Sequence, residues 1–217
     1  MTITLSPTRK RLLYKLSIIS AIFIIPLLLA WYLVHHKGLL SETTNYGYLI
    51  SPPFPVSSLK MYNGKGQMLN NWVFARRAPS SVDQRLIGSW VLLVINPTQC
   101  EQACKTMLYN VRQIHTATGK DQDRVRTALL SFPGQQTPKM VAQMLDPDYK
   151  DTLSLWMQAT DFNAVVNQYV KLPYVAQEGA LYMIDPLGNV MMVYKPDADP
   201  SSILDDLQHV LQVSQIG

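Results

Sequence analysis

Residues 90–104 have the sequence WVLLVINPTQCEQAC, which indicates the fold of the chain. Its first six residues are apolar and rich in β-branched side chains, which predicts a central strand buried on both faces. The strand ends abruptly before Pro97, and helical spacing of apolar residues begins at Glu101. The only two cysteines of the chain, Cys100 and Cys104, therefore lie where a buried strand meets the N-terminus of a helix. Open α/β sheets place their functional sites at such junctions.

The rest of the chain continues the alternation of strands and helices. Two short strands are predicted around the turn Asn63-Gly64-Lys65-Gly66, within residues 59–74, and a loop containing Pro79 follows. Further strands are predicted at 124–132, 181–184 and 190–194, and helices at 101–118, 137–145, part of 161–170 and 199–213. This order predicts an α/β, thioredoxin-like fold.

An apolar segment at residues 16–34 predicts one membrane-spanning helix. It carries no charge, and Trp31 and Tyr32 lie near its far end, where amphipathic rings prefer the headgroup layer. A cleaved signal peptide is the alternative. The segment is longer than the usual apolar region of about 7–15 residues, and no small-x-small cleavage site follows it. We therefore expect an uncleaved helix that contacts the lipid bilayer.

The basic residues are distributed unevenly about this segment. Four of the 19 lie before it, at Arg9, Lys10, Arg11 and Lys15, whereas the other 15 are balanced by 15 acidic residues. The positive-inside rule then predicts a cytoplasmic N-terminus and an exported C-terminal part. We expect a single-pass protein of the bacterial inner membrane, with the C-terminal domain in the periplasm or an equivalent exported compartment. The net charge of +4 thus comes from the residues before the apolar segment and indicates membrane topology. It does not indicate a basic surface for nucleic acid, so no nucleic-acid partner is expected.

Four regions follow from these patterns. We expect a basic cytoplasmic tail at 1–15, the transmembrane helix at 16–34, an extended stalk at 35–58 and a thioredoxin-like domain at 59–217. The stalk is predicted from the proline-rich run at 51–55, which favours extended backbone. The exported part, about 180 residues, is long enough to bury a core of its own.

The spacing of Cys100 and Cys104 allows several kinds of chemistry. Four positions along a helix place two Cα atoms about 6 Å apart, so a disulfide is within reach. The N–H groups at a helix start stabilise a thiolate, which favours Cys100 as the nucleophile. A reduced pair could instead bind Cu(I), which prefers soft ligands. An inert bridge, or two unreactive thiols, is the third alternative.

Three segments of the chain resemble the Sco/SenC family. They are 88–94, GSWVLLV; 98–104, TQCEQAC; and 181–188, LYMIDPLG. The similarity extends from about Leu59 to the C-terminus. Members of that family are membrane-anchored, thioredoxin-fold proteins that help to assemble the copper centre of cytochrome c oxidase.

The resemblance implies that Cys100 and Cys104 are the catalytic thiols of disulfide exchange and also the metal-binding thiolates for copper. The chain departs from the family at Glu101 and Lys105, where prolines usually follow the cysteines. It also departs at or near Gln177, where the family has a third copper ligand, histidine.

Other residues offer a weaker case as ligands. His115 lies about 16 Å along the helix from Cys104, too far to share a metal. Methionines such as Met183 are soft donors but more often fill the core of a strand face. Glu178 and Asp185 are expected to bond backbone N–H groups in their turns.

Two function classes remain from the sequence. In the first, the chain is a thiol–disulfide oxidoreductase that exchanges disulfides with an exported thiol or copper-site protein, such as an oxidase subunit. In the second, it is a non-enzymatic Cu(I) chaperone or assembly scaffold. The lack of a histidine at Gln177 favours the first. No phosphate-binding loop or nucleophile elbow is present, so nucleotide use and hydrolysis have no support.

Overall fold

The computed structural model describes residues 7–35, 45–69 and 88–214 of the chain. They fall into two units, Met1–Thr44 and Asn45–Gly217, which are considered separately. Parts of the predicted tail, stalk and first strand pair, together with the predicted loop at Pro79, lie outside the described residues.

The first unit contains a single described helix, α1, over Pro7–His35. It is longer than the predicted span and includes Pro26. Within it, Tyr14–Tyr32 is long and apolar enough to cross a bilayer, and none of that window is buried. The helix is therefore a candidate membrane span, and part of the predicted basic tail is helical as well.

The second unit contains seven strands and four α-helices among its described residues. The strands are β1 Tyr48–Pro55, β2 Tyr62–Asn63, β3 Trp90–Asn96, β4 Val125–Ser131, β5 Leu153–Trp156, β6 Leu181–Ile184 and β7 Asn189–Tyr194. The helices are α2 Gln102–Ala117, α3 Pro138–Leu145, α4 Ala159–Tyr169 and α5 Pro200–Val213.

All seven strands belong to one mixed sheet in the order β1-β7-β6-β3-β4-β5-β2. The central strands β3, β4 and β5 are parallel, and the other neighbouring pairs are antiparallel. This arrangement is an α/β, thioredoxin-like fold, which confirms the predicted fold class.

Strand β3 separates two hydrophobic layers because its side chains alternate between the faces of the sheet. Val91, Leu93 and Ile95 join the layer that contains α4, whereas Leu92 and Val94 join the layer of α2, α3 and α5. Every residue of β3 is buried, as predicted for a central strand.

The predicted stalk at 35–58 is wrong for its C-terminal part. Strand β1 pairs with β7, its residue Phe54 is fully buried, and the Phe54 ring stacks on Tyr169 at a centroid distance of 4.6 Å. The prolines are tolerated because β1 is an edge strand whose pairing is interrupted between Leu49 and Phe54. The folded unit therefore begins near Asn45 rather than at Leu59.

Two further differences concern short strands. Strand β5 has only four residues and was not predicted. The predicted strand pair around Gly64 is reduced to β2 and a single bridge between Tyr62 and Met68, and β2 pairs with β5 instead. Strands this short contain too few residues to show a recognisable alternation of apolar and polar side chains. The sequence pattern therefore does not indicate them.

Candidate functional site

A buried polar cluster holds the end of β3, from which the cysteine loop departs. The side-chain amide of Asn96 donates to Gln136 Oε1 at 2.8 Å and to Ser131 Oγ at 3.2 Å. Gln136 Nε2 in turn donates to the carbonyl of Asn96 at 3.1 Å. All three side chains are buried. Their hydrogen bonds therefore hold the backbone in place at the point where the cysteine loop begins.

Cys100 and Cys104 form a disulfide, and their Cα atoms lie 5.1 Å apart. The predicted distance was slightly longer because it assumed that both cysteines lie on the helix, whereas Cys100 precedes Gln102, the first residue of α2. Cys104 is fully buried in the layer of α2, and Cys100 is partly exposed. An attacking thiolate would therefore reach Cys100 more readily than Cys104.

A cleft of about 160 Å³ lies beside Cys100. Its walls include Met140 and Met144 of α3, one turn apart, together with Lys105 and Gln136. Met140 is exposed and Met144 is partly buried, so apolar, polarisable surface is available beside Cys100.

The loop at 173–179 reaches the start of α2 through Glu178. Its Oε1 accepts hydrogen bonds from the backbone N–H of Glu101 at 2.8 Å and of Cys104 at 3.0 Å. The next residue, Gly179, has φ +80°, and a Cβ on it would lie 2.8 Å from the carbonyl oxygen of Ala103. Glycine is therefore required where this loop crosses the helix start.

The same loop is tied to the sheet on both sides of Glu178. The N–H of Gly179 donates to Ile95 O, and the N–H of Ile95 donates to Ala180 O, both at 2.9 Å. The hydroxyl of Tyr182 donates to Val175 O at 2.8 Å. Burial raises the pKa of Tyr182 far above its usual value, which keeps this hydroxyl protonated as a donor.

Gln177, the predicted counterpart of the family histidine, is exposed, and its amide donates to Pro173 O at 3.2 Å. The residue whose side chain contacts the cysteine segment is its neighbour Glu178. The place of Glu178 in a turn predicts bonds to backbone N–H groups within that turn. Instead it bonds N–H groups that lie 77 and 74 residues earlier in the chain.

The remaining candidates occupy structural positions. Met183 is fully buried in the layer that also contains Cys104, as expected of core filler. His115 Nε2 lies 3.2 Å from Gln122 O and 3.1 Å from Val125 O at the end of α2, away from the cysteines. Asp185 accepts from the N–H of Asn189 within its turn, as predicted. Within the described residues, no group of three or more His, Cys, Asp or Glu side chains is placed to hold a metal ion.

Comparisons with known proteins agree with this fold. The model of the family described as transmembrane-like, thioredoxin-like, C-terminal domain matches residues 90–214. No curated protein sequence matches the chain.

Three solved structures have the same fold. Yeast Sco1 is 13% identical with a TM-score of 0.54, over 76% of this chain and 96% of that one. Arabidopsis thaliana ScoI with copper bound is 16% identical with a TM-score of 0.52, over 75% and 98%. A thioredoxin-like protein from Porphyromonas gingivalis is 14% identical with a TM-score of 0.50, over 71% and 90%. At these identities the likeness shows the fold alone.

Proposed function

This chain belongs to the family of transmembrane-like, thioredoxin-like C-terminal domains, and we propose that it is an exported, membrane-anchored thiol–disulfide exchange protein. The observation that carries the proposal is the Cys100–Cys104 disulfide at the end of β3, with one cysteine partly exposed and the other buried. Open α/β sheets place their sites at the carboxyl ends of strands, which is where this pair lies.

The exchange uses the two cysteines in fixed roles. A partner thiolate attacks Cys100 Sγ, the bond between the two cysteines breaks, and Cys104 Sγ leaves with the electron pair and takes up a proton. A second partner thiolate then attacks the mixed disulfide, and Cys100 Sγ leaves in the same way. The partner's two thiols have lost two electrons and become a disulfide, and the Cys100–Cys104 pair has gained these electrons and become two thiols. The same steps in reverse reduce a disulfide of the partner.

The size of the disulfide loop argues against a purely structural bridge. A bridge that closes a segment of about five residues stabilises a fold by only about 2 kcal/mol, less than one closing a long loop. Both ends of this segment are already held, by the β3–β4 ladder on one side and by α2 on the other. Exchange chemistry therefore accounts better for a bridge at this place.

The proposed compartment follows from the N-terminal charges and the cysteines together. The basic residues at 9–15, in the first turns of α1, favour a cytoplasmic N-terminus, with Tyr14–Tyr32 as the candidate span and the second unit on the exported side. Disulfides persist in such a compartment, whereas cytosolic thiols are kept reduced.

The partner proposed for the pair is an exported thiol or copper-site protein, such as the subunit that carries the copper centre of a respiratory oxidase. The Sco/SenC resemblance of segments 98–104 and 181–188 supports this partner. In that role the reduced pair would keep the partner's cysteines reduced, so that they remain able to bind copper.

Binding of Cu(I) is the second candidate function. In the disulfide both sulfurs are bonded to each other, so only the reduced pair offers two thiolates. The specific observation in favour is the cleft beside Cys100, where Met140 and Met144 present thioethers, which are soft donors for Cu(I). This donor set fits Cu(I) as a cargo ion better than it fits Cu(II), for which imidazole is a stronger ligand.

Equilibration with glutathione tests the proposed exchange. The full-length chain in detergent is incubated at a series of glutathione to glutathione disulfide ratios, and the oxidised fraction is measured after acid quenching and alkylation. We expect one reversible two-electron transition. A disulfide that stays intact at every ratio and also in excess dithiothreitol, with the fold retained, would overturn the proposal. Titration of the reduced chain with Cu(I) in parallel tests the second candidate.

A further inference from the structure

The start of α2 has a capping group that comes from another part of the chain. The first helical hydrogen bond of α2 runs from the N–H of Lys105 to Glu101 O, so the N–H of Cys104 has no acceptor on the helix. The helix also lacks an acidic residue in its first turn, and the side chain at its N-cap, Glu101, makes no capping bond. Glu178 supplies the missing acceptor.

We infer that Glu178 is a positioning residue for the disulfide chemistry, one whose fixed negative charge favours the disulfide over the reduced pair. The inference rests on the proposed exchange function, and it assigns a role to a residue outside the cysteine motif. Glu178 bonds the N–H of Cys104 itself and that of Glu101, the residue directly after Cys100.

The position of the carboxylate is set by the chain on both sides of it. Gly179 is pinned to Ile95 by a backbone hydrogen bond and passes so close to Ala103 that a side chain would not fit. Val175, three residues before Glu178, is held by the buried hydroxyl of Tyr182. The carboxylate thus meets the helix start as part of a folded scaffold, so its charge is in place before and after exchange.

The electrostatic consequence follows from what reduction does to the sulfurs. The N–H groups at a helix start ordinarily stabilise the negative sulfur that forms when a disulfide opens. Here two of those groups are already bonded to a carboxylate, and its like charge further disfavours a negative sulfur nearby. A pair whose reduced form is stabilised is a stronger oxidant. Glu178 instead destabilises the reduced form, because it disfavours a negative sulfur, and this makes the pair a stronger reductant.

A stronger reductant suits one direction of the proposed exchange. When the reduced pair meets a partner disulfide, a cysteine thiolate attacks it, the partner's sulfur–sulfur bond breaks, and the Cys100–Cys104 bond re-forms. The partner gains the two electrons that the pair loses. Glu178 would thereby bias the protein toward delivering electrons to an exported partner.

The test compares reduction potentials of full-length chains in detergent, equilibrated with glutathione at pH 8. Glu178→Gln keeps an oxygen that can accept from the two N–H groups but removes the charge. We expect its equilibrium constant for reduction by glutathione to rise about fivefold, which is about 20 mV at 29.6 mV per tenfold change. Glu178→Ala, which loses both the charge and the bonds, should shift in the same direction.

A matched control removes a carboxylate from another helix start. Asp161 is an exposed acid in the first turn of α4, and Asp161→Asn should leave the potential unchanged. Potentials of Glu178→Gln and Glu178→Ala equal to that of the unmodified chain would overturn the inference, even if the alanine variant unfolds more easily. If the unmodified chain equilibrates neither with glutathione nor with the stronger reductant dithiothreitol, the proposed exchange function itself fails, which is a separate and recognisable result.

Discussion

The carboxylate of Glu178 lies 3.0 Å from the backbone nitrogen of Cys104, although 74 residues separate them in the sequence. This contact joins the loop before β6 to the first turn of α2. Two segments of the chain therefore hold the cysteine pair in place. Substitutions in either segment should alter the position or the chemistry of the pair.

The close approach of Gly179 to α2 gives the first prediction. Gly179→Ala places a Cβ 2.8 Å from Ala103 O at a residue with φ +80°, so we expect a loss of about 2–4 kcal/mol in the free energy of unfolding. Gly66→Ala is the matched control, because Gly66 has φ +75° and nothing within 4 Å of its added Cβ. Chemical denaturation measures both. Equal losses in the two variants would show that the approach to α2 is not as close as described.

Asp206 provides a test of where the folded unit begins. Its buried carboxylate accepts from the N–H of Tyr46 and Gly47 and from the hydroxyl of Tyr194, which fastens the segment before β1 to α5. Asp206→Asn should lower the free energy of unfolding by about 1–3 kcal/mol, because an amide cannot replace all of these acceptors. Its exposed neighbour offers the control, Asp205→Asn, which should be close to neutral. If the two variants are equally stable, the segment before β1 is not fastened in this way.

The copper alternative leads to a prediction at Gln177. The reduced chain should bind Cu(II) weakly, and Gln177→His should add binding with a thiolate-to-copper absorption band, since imidazole is a better Cu(II) ligand than an amide. Gln168→His is a matched control, because both glutamines are exposed and both donate to the carbonyl four residues earlier. A band of equal strength in the control, or none in either variant, would contradict the assignment of Gln177 to the family's third-ligand position.

The topology is predicted by the four basic residues before residue 16. A reporter that is active only outside the cytoplasm, fused after Gly217, should be active. The same chain fused to a reporter that works only in the cytoplasm serves as the control and should be inactive. The opposite pattern would contradict the exported location of the cysteine pair.

The central part of the fold could be predicted because its signals are local. Residues 90–95 are uniformly apolar, and the apolar stripe of α2 begins directly after them, so strand, turn and helix follow from one short stretch. The caps Thr137 and Asp199 likewise marked the starts of α3 and α5, and both accept a hydrogen bond from the first turn.

The parts that were missed depend on distant partners. The prolines of β1 argue against a strand by themselves, and only pairing with β7 and burial of Phe54 against α4 make that segment part of the sheet. Glu178 carries no local signal of its role, because the N–H groups it accepts from belong to Glu101 and Cys104, which lie 77 and 74 residues earlier in the chain. Counting back from β6 located its neighbour Gln177, so the motif identified the right loop but not the residue.

The central claim, that Cys100 is the exchanging thiol and Cys104 the buried one, is tested most directly by trapping. Cys104→Ser and Cys100→Ser chains are incubated with glutathione disulfide, and the adducts are measured by intact mass, with a sample unfolded in denaturant as the control for total reactivity. We expect Cys104→Ser to form a mixed disulfide with glutathione rapidly, whereas the folded Cys100→Ser chain should react about tenfold more slowly or slower still, because Cys104 is fully buried. Equal rates for the two folded variants, or no adduct with folded Cys104→Ser, would contradict it.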